Sequence, residues 1–228
     1  MKRFLIFTAC AVYSLSTAVM AFSYTLQLGS AETKDTTVLI SNPDTNYGND
    51  EYMFVSDLIE NSQHFYAYSL LQFDVPAQLA SVEIENVTLV LTVAYGLLTD
   101  LNATTAYRIT SSWEEDQVTF NDMPSYDSAN PVATAPVSIG MLWVQPLLFD
   151  ITDAFIDWQQ GLAPNYGLLF MHNISGQNDP TNFLQIFSSD AQVYQPQLLI
   201  TFTQIPEPLS CVMLGIALVS MKFLRNRR

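Results

Sequence analysis

The chain has 228 residues, with 22 acidic side chains against 8 basic ones and only two cysteines. Both cysteines, Cys10 and Cys211, lie in apolar segments near the ends, while residues 22–205 carry 21 acids against two bases, Lys34 and Arg108, a net −19. Such a body excludes a thiol nucleophile or a cysteine metal site, and its charge repels nucleic acid and anionic lipid.

The first residues, Met1-Lys2-Arg3, precede an apolar run and then small residues ending Val19-Met20-Ala21. A basic start, a short apolar stretch and a small-residue site predict a secretory signal helix over 1–21, cleaved after Ala21, with Ala18 as second choice. The apolar run is shorter than the ~20 residues that span a bilayer.

Period-2 alternation then dominates. In 86–93, Val87, Leu89, Leu91 and Val93 point one way; in 197–203, Leu198, Ile200 and Phe202 do the same. Alternation with β-branched and aromatic residues marks half-buried strands. Further strands are predicted at 37–40, 52–55, 66–73, 105–110, 117–120, 142–149, 167–172 and 184–188. Turn clusters at 41–44, Gly96, 124–125, 161–164 and 175–178 separate them. One helix is predicted over 154–160, capped by Thr152 or Asp153 and stopped by Gly161, with Ala154, Phe155 and Trp158 on its core face. These elements predict one all-β domain over 22–205, a two-sheet, jelly-roll-like β-sandwich with one short helix. It is long enough to bury a core without disulfides.

The last segment, 206–228, reads Pro206-Glu207-Pro208, a mostly apolar run to Leu224, then Arg225-Asn226-Arg227-Arg228. An apolar run before a basic tail predicts a transmembrane helix whose arginines stay cytoplasmic, with Lys222 near enough to its end to snorkel.

Several ordered pieces resemble a known family. They are 42–48 (Asn-Pro-Asp-Thr-Asn-Tyr-Gly), 70–76, the strand at 87–93, 107–124 with Trp113-Glu114-Glu115, Phe149 to Asp153 with Trp158, 164–169, and 195–202. Together they resemble the DNRLRE domain, also classed as carbohydrate-binding module family 96. The resemblance covers roughly residues 30 to 204. It implies a β-sandwich and a non-catalytic module that binds extracellular polysaccharide, in some members acidic alginate-type chains. Gln72 stands where the family usually carries Arg. With two bases in the body, direct pairing to many uronates is not expected. The C-terminus resembles the PEP-CTERM sorting signal, through Pro206, Glu207, Pro208, the apolar run and Arg225, Arg227 and Arg228. That resemblance implies export through the inner membrane, an exosortase-type processing partner, transient membrane anchoring and a cell-surface or extracellular-matrix location.

Sugar recognition uses aromatic faces stacked on C–H faces; the candidates are Tyr47, Tyr52, Tyr126, Trp143 and Tyr194. Phe73, Trp113, Phe120, Trp158 and Phe202 are assigned to the core. Asp44, Asn46, Asp50 and Glu51 crowd one turn and are the candidate ligands of a structural calcium ion, against the plainer reading of Asp44 as an Asx turn. No catalytic residue is expected. Glu114, Glu115 and Asp116 read as a scaffold turn rather than a carboxylate pair across a cleft, and His64 and His172 are isolated in sequence. The alternatives to polysaccharide binding are a purely structural matrix or adhesion protein and, less favoured, a glycoside hydrolase or lyase.

Overall fold

The computed structural model describes residues 21–31, 33–60, 63–98, 103–136, 140–172 and 181–204. The signal segment before Ala21 and the sorting residues Pro206, Glu207, Pro208, Arg225, Arg227 and Arg228 lie outside them. Among the described residues no helix is long and apolar enough to cross a membrane.

The elements in chain order are β1 (Ala21–Gln27), β2 (Thr33–Leu39), β3 (Tyr52–Glu60), β4 (Gln63–Phe73), β5 (Val82–Leu98), β6 (Ala103–Ile109), β7 (Tyr126–Pro136), β8 (Gly140–Asp150), α1 (Thr152–Gln159), β9 (Leu168–His172), β10 (Thr181–Phe187) and β11 (Gln197–Gln204). A single turn of 3-10 helix, Ala77–Leu79, precedes β5. The described strands form one antiparallel sheet in the order β1-β11-β5-β10-β3-β4-β9-β6-β7, with β2 added to β4 and β8 to β5. The sheet curls, because β7 at the far end of this path comes back against β8.

The 17-residue β5 is the spine. One edge pairs with β8; the other pairs first with β11 and then with β10. Its alternation decides what it buries. Val87, Leu89, Leu91 and Val93 are fully buried, whereas Thr88, Val90 and Thr92 between them are half-buried. Each such aliphatic side chain contributes roughly 1.5–3 kcal/mol by leaving water. They meet Met53, Val55, Phe73, Phe149, Phe170, Leu184, Ile186, Leu198 and Ile200 in the main core. Helix α1 closes it with Ala154, Phe155 and Trp158, the last edge-on to Phe73 at 5.9 Å.

A second, smaller core lies on the other face of β4, β6 and β9. Val38, Leu70, Tyr107, Ile109 and Leu169 are covered there by Trp113 and Val118 from the loop between β6 and β7. Two Asn-Tyr-Gly turns pin this arrangement. In each, the Asn carbonyl oxygen accepts the Gly N–H two residues on, and the Asn amide donates to a carbonyl elsewhere in the fold. Asn46 bonds Gly48 and reaches the carbonyls of Glu115 and Val118; Asn165 bonds Gly167 and reaches that of Phe73. Both glycines are pressed against other segments. A Cβ would lie 2.3 Å from the Glu115 carbonyl oxygen at Gly48, and 2.3 Å from that of Leu71 at Gly167, which also has φ +87°. Only glycine fits such contacts.

Five local expectations change. Residues 117–120 are not a strand: Val118 packs down as part of the loop over the second core. Gly96 is not a turn but lies inside β5, opposite Leu184. β7 is an additional strand; its Pro131 is tolerated because β7 pairs on one side only. β1 is also additional, with Phe22 stacked on Phe202 at 5.9 Å and Ala21 as its first residue. Helix α1 has no side-chain N-cap. The Thr152 hydroxyl instead donates to Asp150 and accepts the N–H of Val87, tying the helix start to β5. Gly161 does take the left-handed stop, at φ 68°.

Candidate functional site

The outward face of β10 carries an aromatic row. Alternation sends Asn182, Leu184 and Ile186 inward to full burial and leaves Phe183, Gln185 and Phe187 half-buried on the other side. At one end, Phe183 meets Tyr95 of β5 at 5.4 Å, and Tyr95 meets Trp143 of β8, its direct cross-strand partner, at 4.6 Å. At the other end, Phe187 lies 5.3 Å from Tyr52, its partner on β3, and 5.2 Å from Tyr194. Phe183 and Phe187 are four positions apart along β10, about 13 Å at roughly 3.3 Å per residue, while Tyr95 and Trp143 are level with Gln185.

The outermost rings are also the exposed ones: Trp143 is 64% and Tyr194 50% accessible. Tyr194 sits at unusual backbone, and Trp143 directly precedes a residue, Val144, that also does. Among the described residues, the non-glycine positions with positive φ are Val144, at 34°, and Tyr194, at 59°. For a β-branched residue this is an outlier that costs on the order of 1–3 kcal/mol. The β5–β8 register pairs Tyr95 with Trp143 and Val93 with Gln145, leaving Val144 without a ladder partner. Inward facing passes from Leu142 to Leu147, so the alternation is broken between them, and Trp143 and Val144 are both exposed.

Among the described residues the row holds no lysine or arginine. Lys34 bonds Glu114 at 2.8 Å and the Trp113 carbonyl, and Arg108 bonds Asp157 at 2.9 Å beside the Trp158 ring. Flat apolar rings with no positive charge suit C–H faces of neutral rings rather than anions.

Of the predicted sugar contacts, Tyr52, Trp143 and Tyr194 therefore share one face. Tyr47 and Tyr126 do not join it. The Tyr47 hydroxyl accepts the Asn42 amide in its own turn. Tyr126 packs on Tyr107 at 5.8 Å, among Tyr66, Tyr68 and Phe120 at the second core. Burial there, with Tyr126, Tyr66 and Asp57 as neighbours, pushes the Tyr68 hydroxyl up to about 12. Tyr95, Phe183 and Phe187, the inner members of the row, were not among the sequence candidates. The alternation in 182–187 is the signal that could have found the two phenylalanines.

At the turn Asp44 to Glu51, Asp44 accepts the Asn121 amide at 2.7 Å, and the Asn46 side chain is engaged by Gly48, Glu115 and Val118. The carbonyls of Asp50 and Glu51 accept from Ser188. Among the described residues no group of three or more His, Cys, Asp or Glu is placed to hold a metal ion.

The other acidic candidates are structural in their contacts. Glu114 pairs with Lys34, and Glu115 accepts the N–H of Asp35 at 2.7 Å. Trp113 is buried and donates to the Tyr166 carbonyl. His172 is buried with Nδ1 against the Thr104 hydroxyl; the side chain of His64 lies outside the described residues. A polar cleft of about 590 Å³ between β7 and the start of α1 is lined by Arg108, Asp127, Asn130, Asp150 and Asp153.

A sequence model of carbohydrate-binding module family 96 matches residues 27–202. No curated protein matches the chain.

Proposed function

The chain belongs to carbohydrate-binding module family 96, and on that premise we propose that its domain is an exported, non-catalytic unit that binds extracellular polysaccharide through the aromatic row on β10. The observation that carries this reading is Trp143, exposed and backed by Tyr95 and Phe183. A solvent-facing tryptophan costs solubility, and its ring is the size and polarity of a sugar's C–H face. In finer detail the domain is read as a DNRLRE-type, jelly-roll-like two-sheet sandwich, with the curled sheet folded over the main core.

The ends supply the rest of the reading. A signal segment over 1–21 exports the chain, and Pro206-Glu207-Pro208 with its apolar run and arginines directs exosortase processing, transient anchoring in the membrane and retention at the cell surface or matrix. What supports this is the residue pattern alone. Fractionation of cells producing the tagged chain tests it: surface-exposed protein shortened at both ends is expected, and intact protein in the cytosol would contradict it. A structural calcium ion at the turn is a separate proposal. Asn46 is engaged, and Asp44, Asp50 and Glu51 are not placed together as a ligand set, so an ion at this turn would need backbone or water oxygens to complete its shell. A melting temperature that falls on chelation would support it, and an unchanged one would remove it.

The binding reading is tested on a glycan array with the wild-type chain and Trp143→Ala. Signals lost in the variant support it. Silence of the wild type on every glycan would favour a structural matrix protein instead.

A further inference from the structure

We infer that the row on β10 is built for an extended, uncharged glycan chain gripped at two separate stacking stations, one at Trp143 and one at Tyr194. This rests on the polysaccharide reading and goes further, because it fixes the chemical class of the chain and the number of rings engaged.

The two-station geometry comes from the strand itself. Phe183 and Phe187 stand on one face of β10, about 13 Å apart by strand rise, and each supports one exposed ring, Trp143 through Tyr95 and Tyr194 directly. Trp143 is level with Tyr95 and Gln185 and stands two strands from β10, roughly 9.6 Å at ~4.8 Å per strand, on the side away from Tyr52; that lateral offset exceeds a single sugar ring, so one monosaccharide does not reach both outer rings. Gln185 lies between the stations on the same face and offers an amide to hydroxyls of the bridging rings. Positive-φ backbone lies at Tyr194 itself and at Val144, next to Trp143. Such conformations persist only where the surroundings hold them.

The charge class follows from what surrounds the row. Glu51 precedes Tyr52, and Asp190 lies in the segment leading to Tyr194, whereas Lys34 and Arg108 are held elsewhere in ion pairs. A uronate chain would meet like charge and, among the described residues, find no guanidinium or ammonium free of an ion pair. A neutral chain pays neither penalty.

The test is calorimetric titration of the full chain with neutral oligosaccharides of the cello, manno and xylo series, from disaccharide to hexasaccharide, and with oligouronates of the same lengths. Wild type is compared with Trp143→Ala, Tyr194→Ala and the conservative Trp143→Phe. Affinity for neutral chains is expected to rise with length until both stations are covered, and to be insensitive to salt. Each alanine variant should lower hexasaccharide affinity by a few-fold to about tenfold. Disaccharide affinity should fall no more than about twofold, because one station remains. Trp143→Phe should restore most of the loss, which separates ring stacking from misfolding. Three results would overturn the inference while leaving polysaccharide binding intact: uronates bound as tightly as neutral chains, affinity independent of length, or alanine variants that bind like wild type. Wild-type dimerisation abolished by Trp143→Ala would assign the row to a second copy of the chain instead. Failure to bind any glycan would overturn both readings together.

Discussion

Asp35 makes the stability of this fold depend on pH in an unusual direction. Its carboxylate on β2 is 1% exposed and accepts the N–H of Ser189 at 2.7 Å. Burial raises its pKa from 3.8 to about 7, with Glu115 and Asp190 pushing the same way and Ser189 opposing them. The folded chain therefore keeps this proton through a window in which the unfolded chain releases it. The stabilisation is fully present below about pH 3.8 and is lost as the pH rises through about 7. One proton gives a slope of up to ~1.4 kcal/mol per pH unit, or on the order of 4 kcal/mol over the whole window. Glu115, also raised by burial, adds in the same sense. Asp35→Asn keeps the shape and an oxygen for Ser189 but cannot ionise. Urea unfolding across the window should show wild type losing stability relative to Asp35→Asn, with the variant the more stable by a few kcal/mol above pH 7. Parallel curves, or a variant less stable at high pH, would refute the assignment.

The remaining predictions concern turns and strain. Gly167→Ala meets both the Leu71 carbonyl and a φ of +87°; it should cost ~3 kcal/mol or more, and a wild-type melting temperature would contradict that contact. Asn46→Ala strips hydrogen bonds from Gly48, Glu115 and Val118 and should cost roughly 2–3 kcal/mol in chemical denaturation; a loss within about 0.5 kcal/mol would mean that water replaces the amide. Val144→Gly relieves the positive φ and should stabilise by up to about 1 kcal/mol while weakening glycan binding through a looser Trp143. Tighter binding in that variant would show that the backbone geometry does not serve the ring.

The parts of the fold that were legible from sequence are those where alternation reports burial directly. Val87 to Val93 and Leu198 to Ile200 alternate because one face is packed and the other is not. β7 was illegible because its residues are poor strand formers; pairing with β6 holds them, and the position of Pro131 at an edge removes the usual objection. Residues 117–120 misled for the opposite reason: Val118 and Phe120 are apolar because they cap a second core, not because they alternate in a ladder. The helix is legible through Phe155, Trp158 and Gly161, but neither Thr152 nor Asp153 caps it with a side chain, and the Thr152 hydroxyl serves β5 instead. For the site, Trp143 and Tyr194 are exposed as expected and Tyr52 is half-buried. Their grouping is not visible in sequence, because only the strand order brings β8, β5, β10 and β3, and with them Phe183, Phe187 and Tyr95, side by side. The Asp35–Ser189 contact spans 154 positions and has no local signal.

The central claim, that polysaccharide lies on the aromatic row, is tested most directly by chemical protection of its tryptophan. Trp143 is 64% exposed, against 6% for Trp113 and 7% for Trp158, so a mild indole oxidant should modify Trp143 first, as read by peptide mass spectrometry. Saturation with a bound neutral polysaccharide is expected to slow oxidation of Trp143 strongly and leave the other two unchanged. Oxidation of Trp143 at its free rate while the polysaccharide is demonstrably bound would place the ligand elsewhere and contradict the account.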